Sequence, residues 1–186
     1  MEDSRIVDLY WQRDEGAISA TAEKYSKYCN HIAYNILYSS EDAEECVNDT
    51  YLRAWNAIPP HRPVQLSTFL GKITRNLALN KYKGYNAKKR GGGQTAAALA
   101  ELEECVASRC LVEDFIDESV LTGVINDFLR GLPKVNRVIF VKRYWYMTPV
   151  KEIAAEMSMR ENRVATMLFR MRKELKDCLE KEDIPL

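Results

Sequence analysis

Apolar residues recur at steps of three and four over most of the chain, while the strict alternation of a half-buried strand is weak. The fold class this pattern predicts is all-α. Residues 16–38 place Ile18, Ala22, Tyr25, Cys29, Ile32, Ala33, Ile36 and Leu37 on one helical face. Ser40 then reads as the N-cap of a second helix. Glu41, Asp42, Glu44 and Glu45 follow it, where negative charge meets the positive end of the helix dipole. That helix runs to about Ile58, and Pro59-Pro60 end it. HRPVQ reads as a loop, and a third helix starts near Leu66 or Ser67. Leu66, Phe69, Leu70, Ile73 and Leu77 line one face of it, and Lys72, Arg75, Asn76, Asn80 and Lys83 occupy much of the rest.

The pattern then breaks. GYNAKKRGGGQT is basic and glycine-rich, the composition of a flexible linker. AAALAELEECVASRCLVEDFIDESV is acidic with scattered apolar residues and suits either a weak amphipathic helix or an extended chain. Helical periodicity returns near residue 119 with Val120, Val124, Ile125, Phe128 and Leu129. Gly131 stops that helix, and Pro133 opens the next at a position where its missing N–H costs little. This next helix carries Val135, Val138, Ile139, Val141 and Tyr144; Thr148-Pro149 reads as a further start, with Thr148 as N-cap. The expected organisation is two small helical domains, 1–85 and 119–186, joined by a flexible basic-then-acidic linker over 86–118.

Charge sharpens this division. The 186 residues carry 27 basic and 27 acidic side chains, yet residues 61–94 hold eight basic residues and no acidic one. Residues 126–186 are net +4, whereas 1–60 and 95–125 are each net −6. The two basic blocks suit a polyanion and the acidic ones a basic protein surface. Cys29, Cys46, Cys105, Cys110 and Cys178 form no CxxC pair, and His31 and His61 lack metal-ligand spacing. Reduced thiols are expected, with Cys105 and Cys110 as a conceivable redox pair. The opening MEDSRIVDLYW has no basic-then-apolar signal pattern, and no apolar run approaches membrane length. A cytoplasmic protein is expected.

Three stretches carry candidate chemistry. EIAAEMSMRENRVATMLFRMRKEL, 152–175, reads as a short helix, a tight turn and a basic helix: a helix-turn-helix. Val164, Leu168, Met171 and Leu175 form its buried stripe, and Arg160, Asn162, Arg163, Thr166, Arg170 and Lys173 face outward. Long cations mixed with short hydrogen-bonding side chains suit a major groove. Ser158 stands where a turn glycine is common, and Ser158-x-x-Glu161 fits a capping box. In DAEECVNDTYLRAW, 42–55, Val47, Tyr51, Ala54 and Trp55 face a core, leaving Glu44, Glu45, Asn48, Asp49 and Arg53 exposed. Glu45 and Asp49 stand one turn apart, which would allow a metal, but no Glu-x-x-His partner accompanies them. A docking face for a basic partner or a plain solvated face are the other readings. In LSTFLGKITRNLALNKYKGY, 66–85, cations, amides and the aromatics Tyr82 and Tyr85 combine as single-stranded nucleic acid binding requires; Phe69 suits either the core or stacking.

Taken in order, DAEECVNDTYLRAW, LSTFLGKITRNLALN and LPKVNRVIFVKRYWYMTPVKEIAAEMSMRENRVATMLFRMRKEL resemble a bacterial RNA polymerase sigma factor of the extracytoplasmic-function group, over residues 18–85 and 120–179. The resemblance implies two helical domains, regions 2 and 4. It implies that Asp42, Glu45, Asn48, Asp49 and Arg53 dock on the polymerase clamp helices. It implies that Lys72, Arg75, Asn76, Asn80 and Lys83, with the preceding loop, melt and read the minus-10 element. It implies that Arg160, Asn162, Arg163, Thr166, Arg170 and Lys173 read the minus-35 element, and that the acidic linker threads toward the polymerase active centre. Implied partners are core RNA polymerase, at its clamp helices and flap, and promoter DNA, duplex and single-stranded. An anti-sigma factor is a further partner common in the family. No cofactor, metal or catalytic residue is implied. The chain departs from the family pattern at Phe69, where tryptophan is common, at Ser158, and at Arg160, a frequent Ser/Thr position. The rival readings are a stand-alone helix-turn-helix regulator, which leaves residues 42–85 unexplained, and an enzyme built on Glu45 and Asp49.

Overall fold

A computed structural model describes residues 1–86, 93–106 and 118–181, with side chains at 1–84, 93–103 and 121–180. Among the described residues every regular element is a helix. The chain divides into two compact units, Met1–Gly91 and Gly92–Leu186.

The first unit contains α1 (Asp3–Trp11), α2 (Gly16–Leu37), α3 (Ser40–Ala57) and α4 (Leu66–Asn86). Helices α2, α3 and α4 pack against one another, and α1 lies on α2. Ile6, Tyr10, Cys29, Ile58, Leu66 and Leu70 are fully buried in the shared core. Helix α4 approaches α2 closely at Gly71: a Cβ there would stand 2.6 Å from the Tyr28 hydroxyl, so the Tyr28 side chain would have to shift. Two pairs of buried hydroxyls meet across the helices. Tyr10 meets Thr21 at 2.9 Å, and Thr50 meets Thr74 at 3.1 Å. Helix α1 was not foreseen from the periodicity; its Ile6, Val7 and Tyr10 show the three-residue step over too few turns to stand out.

The expected helix starts shift by one residue. Tyr38 takes a left-handed conformation (φ 54) and ends α2, so the chain turns over two residues only. Ser39, not Ser40, is then extended, and its Oγ accepts from the Asp42 N–H at 3.2 Å. Pro133 and Pro149 likewise occupy the N-cap positions of α7 (Lys134–Tyr144) and α8 (Val150–Glu156). Thr148 is therefore not the cap of α8. It is buried, and its carbonyl accepts from Arg143 Nη1 at 3.5 Å.

The second unit contains α5 (Gln94–Val106), α6 (Glu118–Gly131), α7, α8 and α9 (Glu161–Lys181), with α9 packed against all four others. Its α5 takes the helical of the two readings the sequence leaves open for this stretch of the expected linker. Residues 94–106 are helical and pack on α7 and α9, with Thr95 and Ala98 fully buried. The anchor is Glu101. Its carboxylate receives Arg143 Nη2 at 2.7 Å, the Tyr144 hydroxyl at 2.9 Å and Arg172 Nη1 at 3.2 Å. A carboxylate shared by two guanidiniums and a phenol neutralises charges that could not otherwise be taken from water. No described helix is long and apolar enough to cross a membrane.

Candidate functional site

Three polar surfaces stand out, two on the first unit and one on the second. On α3, Glu44, Glu45, Asn48, Asp49 and Arg53 are exposed and Asp42 is half-buried. They do not form one uniform strip. Lys81, reaching from α4, pairs with Asp42 at 2.8 Å and Glu45 at 2.6 Å, so part of the acidity is answered inside the unit. Glu44 and Asn48 line an open cavity of about 690 Å³ between α2 and α3, with Lys27, Asn30 and His31 on its other wall. Arg53 lies elsewhere, in a cavity shared with α4. Leu52, 57% exposed, sits among these polar residues. The sequence pattern passed over it because one exposed leucine is ordinary. Beneath the strip, burial, with the nearby Asp49 charge, pushes the Cys46 thiol up to about 12. Burial also raises the Cys29 thiol, so neither is a reactive thiolate. Cys110 and the side chain of Cys105 lie outside the described residues.

On α4, Lys72, Asn76, Asn80 and Lys83 are exposed and recur at steps of four, four and three, which puts them on one face. The opposite face buries Leu66, Leu70, Thr74 and Ala78. Arg75 departs from the group: it is half-buried and engaged within the protein, and burial lowers its guanidinium below the ordinary value. Tyr82, expected to be accessible, is half-buried with its hydroxyl enclosed, and the Tyr85 side chain lies outside the described residues. An open cavity of about 680 Å³ sits at the junction of α3, the 58–65 loop and α4. Arg53, Asn56, His61, Phe69, Lys72, Ile73 and Asn76 line it. Its walls are aromatic and aliphatic, its rim is cationic, and its amides offer paired donors and acceptors. Phe69 is half-buried against the core and also lines this cavity. The loop is tied back to α1 through Arg62, which pairs with Asp8 and stacks 5.6 Å from the Trp11 ring.

On α9, Asn162, Arg163, Thr166, Arg170 and Lys173 are all exposed, as is Arg160 immediately before the helix. Val164, Leu168, Met171, Leu175 and Leu179 are buried on the other side. Thr166 Oγ1 donates to the Asn162 carbonyl at 2.8 Å, which orients it. Phe169, 62% exposed, lies three residues past Thr166 and seven past Asn162, in the middle of the polar face. Sequence reasoning missed it, although its spacing from Asn162 and Thr166 was available. Arg172 stands 5.9 Å from its ring. The capping box does not form. Ser158 is left-handed (φ 52) and closes α8, with its N–H on the Ala155 carbonyl and the Met159 N–H on the Ala154 carbonyl. Arg160 holds the N-cap position, its carbonyl accepting from Arg163 and Val164.

Comparison with known proteins agrees with this geometry. Residues 22–87 match the family described as Sigma-70 region 2, and residues 123–175 match Sigma-70, region 4. The first match contains the α3 and α4 surfaces and the second the α9 surface, while α1 and α5 lie outside both. The chain is similar to the ECF RNA polymerase sigma factor SigE of Mycolicibacterium smegmatis, 23% identical over 171 residues. That alignment covers 90% of this chain, which spans 65% of the relative's length. The chain belongs to the sigma-70 family, in its extracytoplasmic-function group.

Proposed function

We propose that this chain is a promoter-specificity subunit that binds core RNA polymerase and directs transcription initiation, with the chemistry left to the polymerase. The carrying observation is the division of labour on its surface. An acidic and apolar face on α3 suits a basic protein helix, and two cation–amide stripes, on α4 and α9, suit nucleic acid.

In this reading Glu44, Asn48, Asp49 and Leu52 dock on the polymerase clamp, with Asp42 and Glu45 partly committed to Lys81. The α4 stripe of Lys72, Asn76, Asn80 and Lys83 follows the non-template strand at the minus-10 element. An unpaired base enters the Arg53–Asn76 cavity, so strand opening becomes sequence-dependent: only a base that fits offsets the cost of unstacking. Arg53, grouped by resemblance with the docking residues, is placed here on the DNA side. Arg75 supports α4 from within. On α9, Arg163, Asn162 and Thr166 read base edges at the minus-35 element, Arg160, Arg170 and Lys173 hold phosphates, and Phe169 meets a thymine methyl. The stand-alone regulator would use α9 and leave the α3 and α4 surfaces idle.

Gel filtration of the purified chain with core polymerase tests this reading. Co-elution is expected, and a chain that binds duplex DNA but never co-elutes with core would overturn it.

A further inference from the structure

We infer that α1, which lies outside both family matches, positions the 58–65 loop through Asp8 and Trp11, and so sets how sharply the chain discriminates between unpaired promoter bases. This deepens the single-strand reading above and rests on it. The loop joins α3 to α4 and contributes His61 to the lining of the Arg53–Asn76 cavity. It contains no helix or strand, so its place depends on the elements that hold it.

Side chains of α1 and of the turn after it meet the loop before its start, in its middle and at its end. Before the start, Arg13 Nη1 donates to the Trp55 carbonyl at 2.7 Å, and the guanidinium lies 5.3 Å from the Trp55 ring. That carbonyl stands in the last turn of α3, and the residue four on, Pro59, has no N–H to give it. A cation there also suits the helix dipole. In the middle, Arg62 pairs with Asp8 and lies 5.6 Å from the Trp11 ring. At the end, Asp3 faces the start of α4 while accepting Lys24 Nζ at 2.7 Å and the Tyr25 hydroxyl at 2.5 Å. Burial alone would raise the Asp3 carboxyl, but bonds from Lys24 and Tyr25, the Lys24 charge and the Leu66 backbone N–H outweigh it and hold it below its ordinary value. Ile6 and Tyr10 are fully buried in the same core as Ile58 and Leu66, so α1 is a fixed base for all three contacts.

The middle contact differs from the other two. Arg13 and Asp3 serve helix ends, whose polar groups need partners in any case. The Arg62 and Asp8 side chains are 57% and 48% exposed, and an exposed ion pair stabilises a fold little. Its effect is local. It fixes the loop against α1 and commits a charge that would otherwise be free for any phosphate. The half-exposed Trp11 ring restricts the same guanidinium. A loop held in one place favours the base that fits beside it, because the ordering is done before binding. A loose loop with a free guanidinium grips the backbone of every sequence alike.

The test uses holoenzyme assembled from this chain and core polymerase. Its template is a forked promoter mapped from the transcripts that holoenzyme makes. Bases of the unpaired non-template strand are replaced one at a time, and discrimination is the ratio of affinities for the original and the replaced template. At the most sensitive position Asp8→Asn should lower that ratio about fivefold, Arg62→Ala should lower it by a similar factor, and the double variant should lower it no further. Asp8→Glu should keep it. Thermal unfolding and co-elution with core should match the wild type in each variant. Unchanged discrimination in Asp8→Asn, losses that add in the double variant, or a fall that follows lost stability or lost core binding would each overturn the positioning role while preserving base capture. A wild type that discriminates at no unpaired position would overturn the capture reading itself.

Discussion

Arg143, 2% exposed on α7, is held by Glu101 of α5 in a two-bonded pair, Nη2 to Oε1 at 2.7 Å and Nε to Oε2 at 3.3 Å. The same guanidinium reaches the Thr148 carbonyl at the entrance to α8, and Arg172 of α9 meets the same carboxylate. One side chain from a segment outside both family matches thus ties together α7, the entrance to α8, and α9 with its exposed cationic face.

Removing that side chain leaves Arg143 buried without its counter-charge. Glu101→Ala should destabilise the second unit by about 2–4 kcal/mol. Urea unfolding followed by Trp145 fluorescence checks this. Burial alone would raise the Glu101 carboxyl, but bonds from Arg143 and Tyr144 and the Arg143 and Arg172 charges outweigh it and hold it below its ordinary value near 4.5. A depressed folded pKa contributes stability that is fully present above the unfolded value and is lost as pH falls through the folded one. Stability should therefore be level above about pH 5 and decline below it. Glu101→Gln should remove much of that acid-dependent component.

Ser158 holds a left-handed backbone (φ 52) that costs an L-residue but not glycine. Ser158→Gly should stabilise the second unit by about 0.5–1 kcal/mol and leave duplex DNA affinity unchanged. A loss of stability in thermal unfolding would show that the hydroxyl has a role the turn does not reveal.

The case of Ser158 shows what the sequence could and could not carry. Its spacing to Glu161 satisfied a capping box, but the same position served equally as the end of α8, and only backbone conformation distinguishes the two. Long periodic faces were legible: the burial of Val164, Leu168 and Met171, and of Leu66 and Leu70, follows from spacing alone. Helix α5 was legible only as one of two alternatives, because its buried residues among those described are Thr95 and Ala98. Small side chains give little periodic signal, and the stabilising partner of Glu101 lies 42 residues away. The partial burial of Arg75 was hidden for a related reason. A cation's place on a helix face is visible in sequence, but whether a neighbouring helix encloses it is not.

Asp49 is the exposed acid on α3 best suited to a docking test, since Lys81 already engages Asp42 and Glu45. Asp49→Lys should weaken binding to core polymerase at least tenfold and leave duplex DNA binding intact. Glu45→Lys should do less to docking and more to stability, because it sets two lysines side by side.

Arg163→Ala should cost about 1–3 kcal/mol of duplex affinity and relax preference at one base pair, if the guanidinium reads a guanine edge. Phe169→Ala should relax preference at a thymine. Lys173→Ala should instead weaken all sequences alike and reduce the salt dependence by about one counter-ion. Binding to promoter variants at several salt concentrations separates the three.

Transcription by core polymerase, with and without this chain, on templates drawn from the host genome tests the central claim most directly. The expected result is a set of start sites that appear only with the chain and share two upstream sequence elements. If core polymerase gains no start site while the chain still binds duplex DNA specifically, it acts through α9 alone and is not a promoter-specificity subunit.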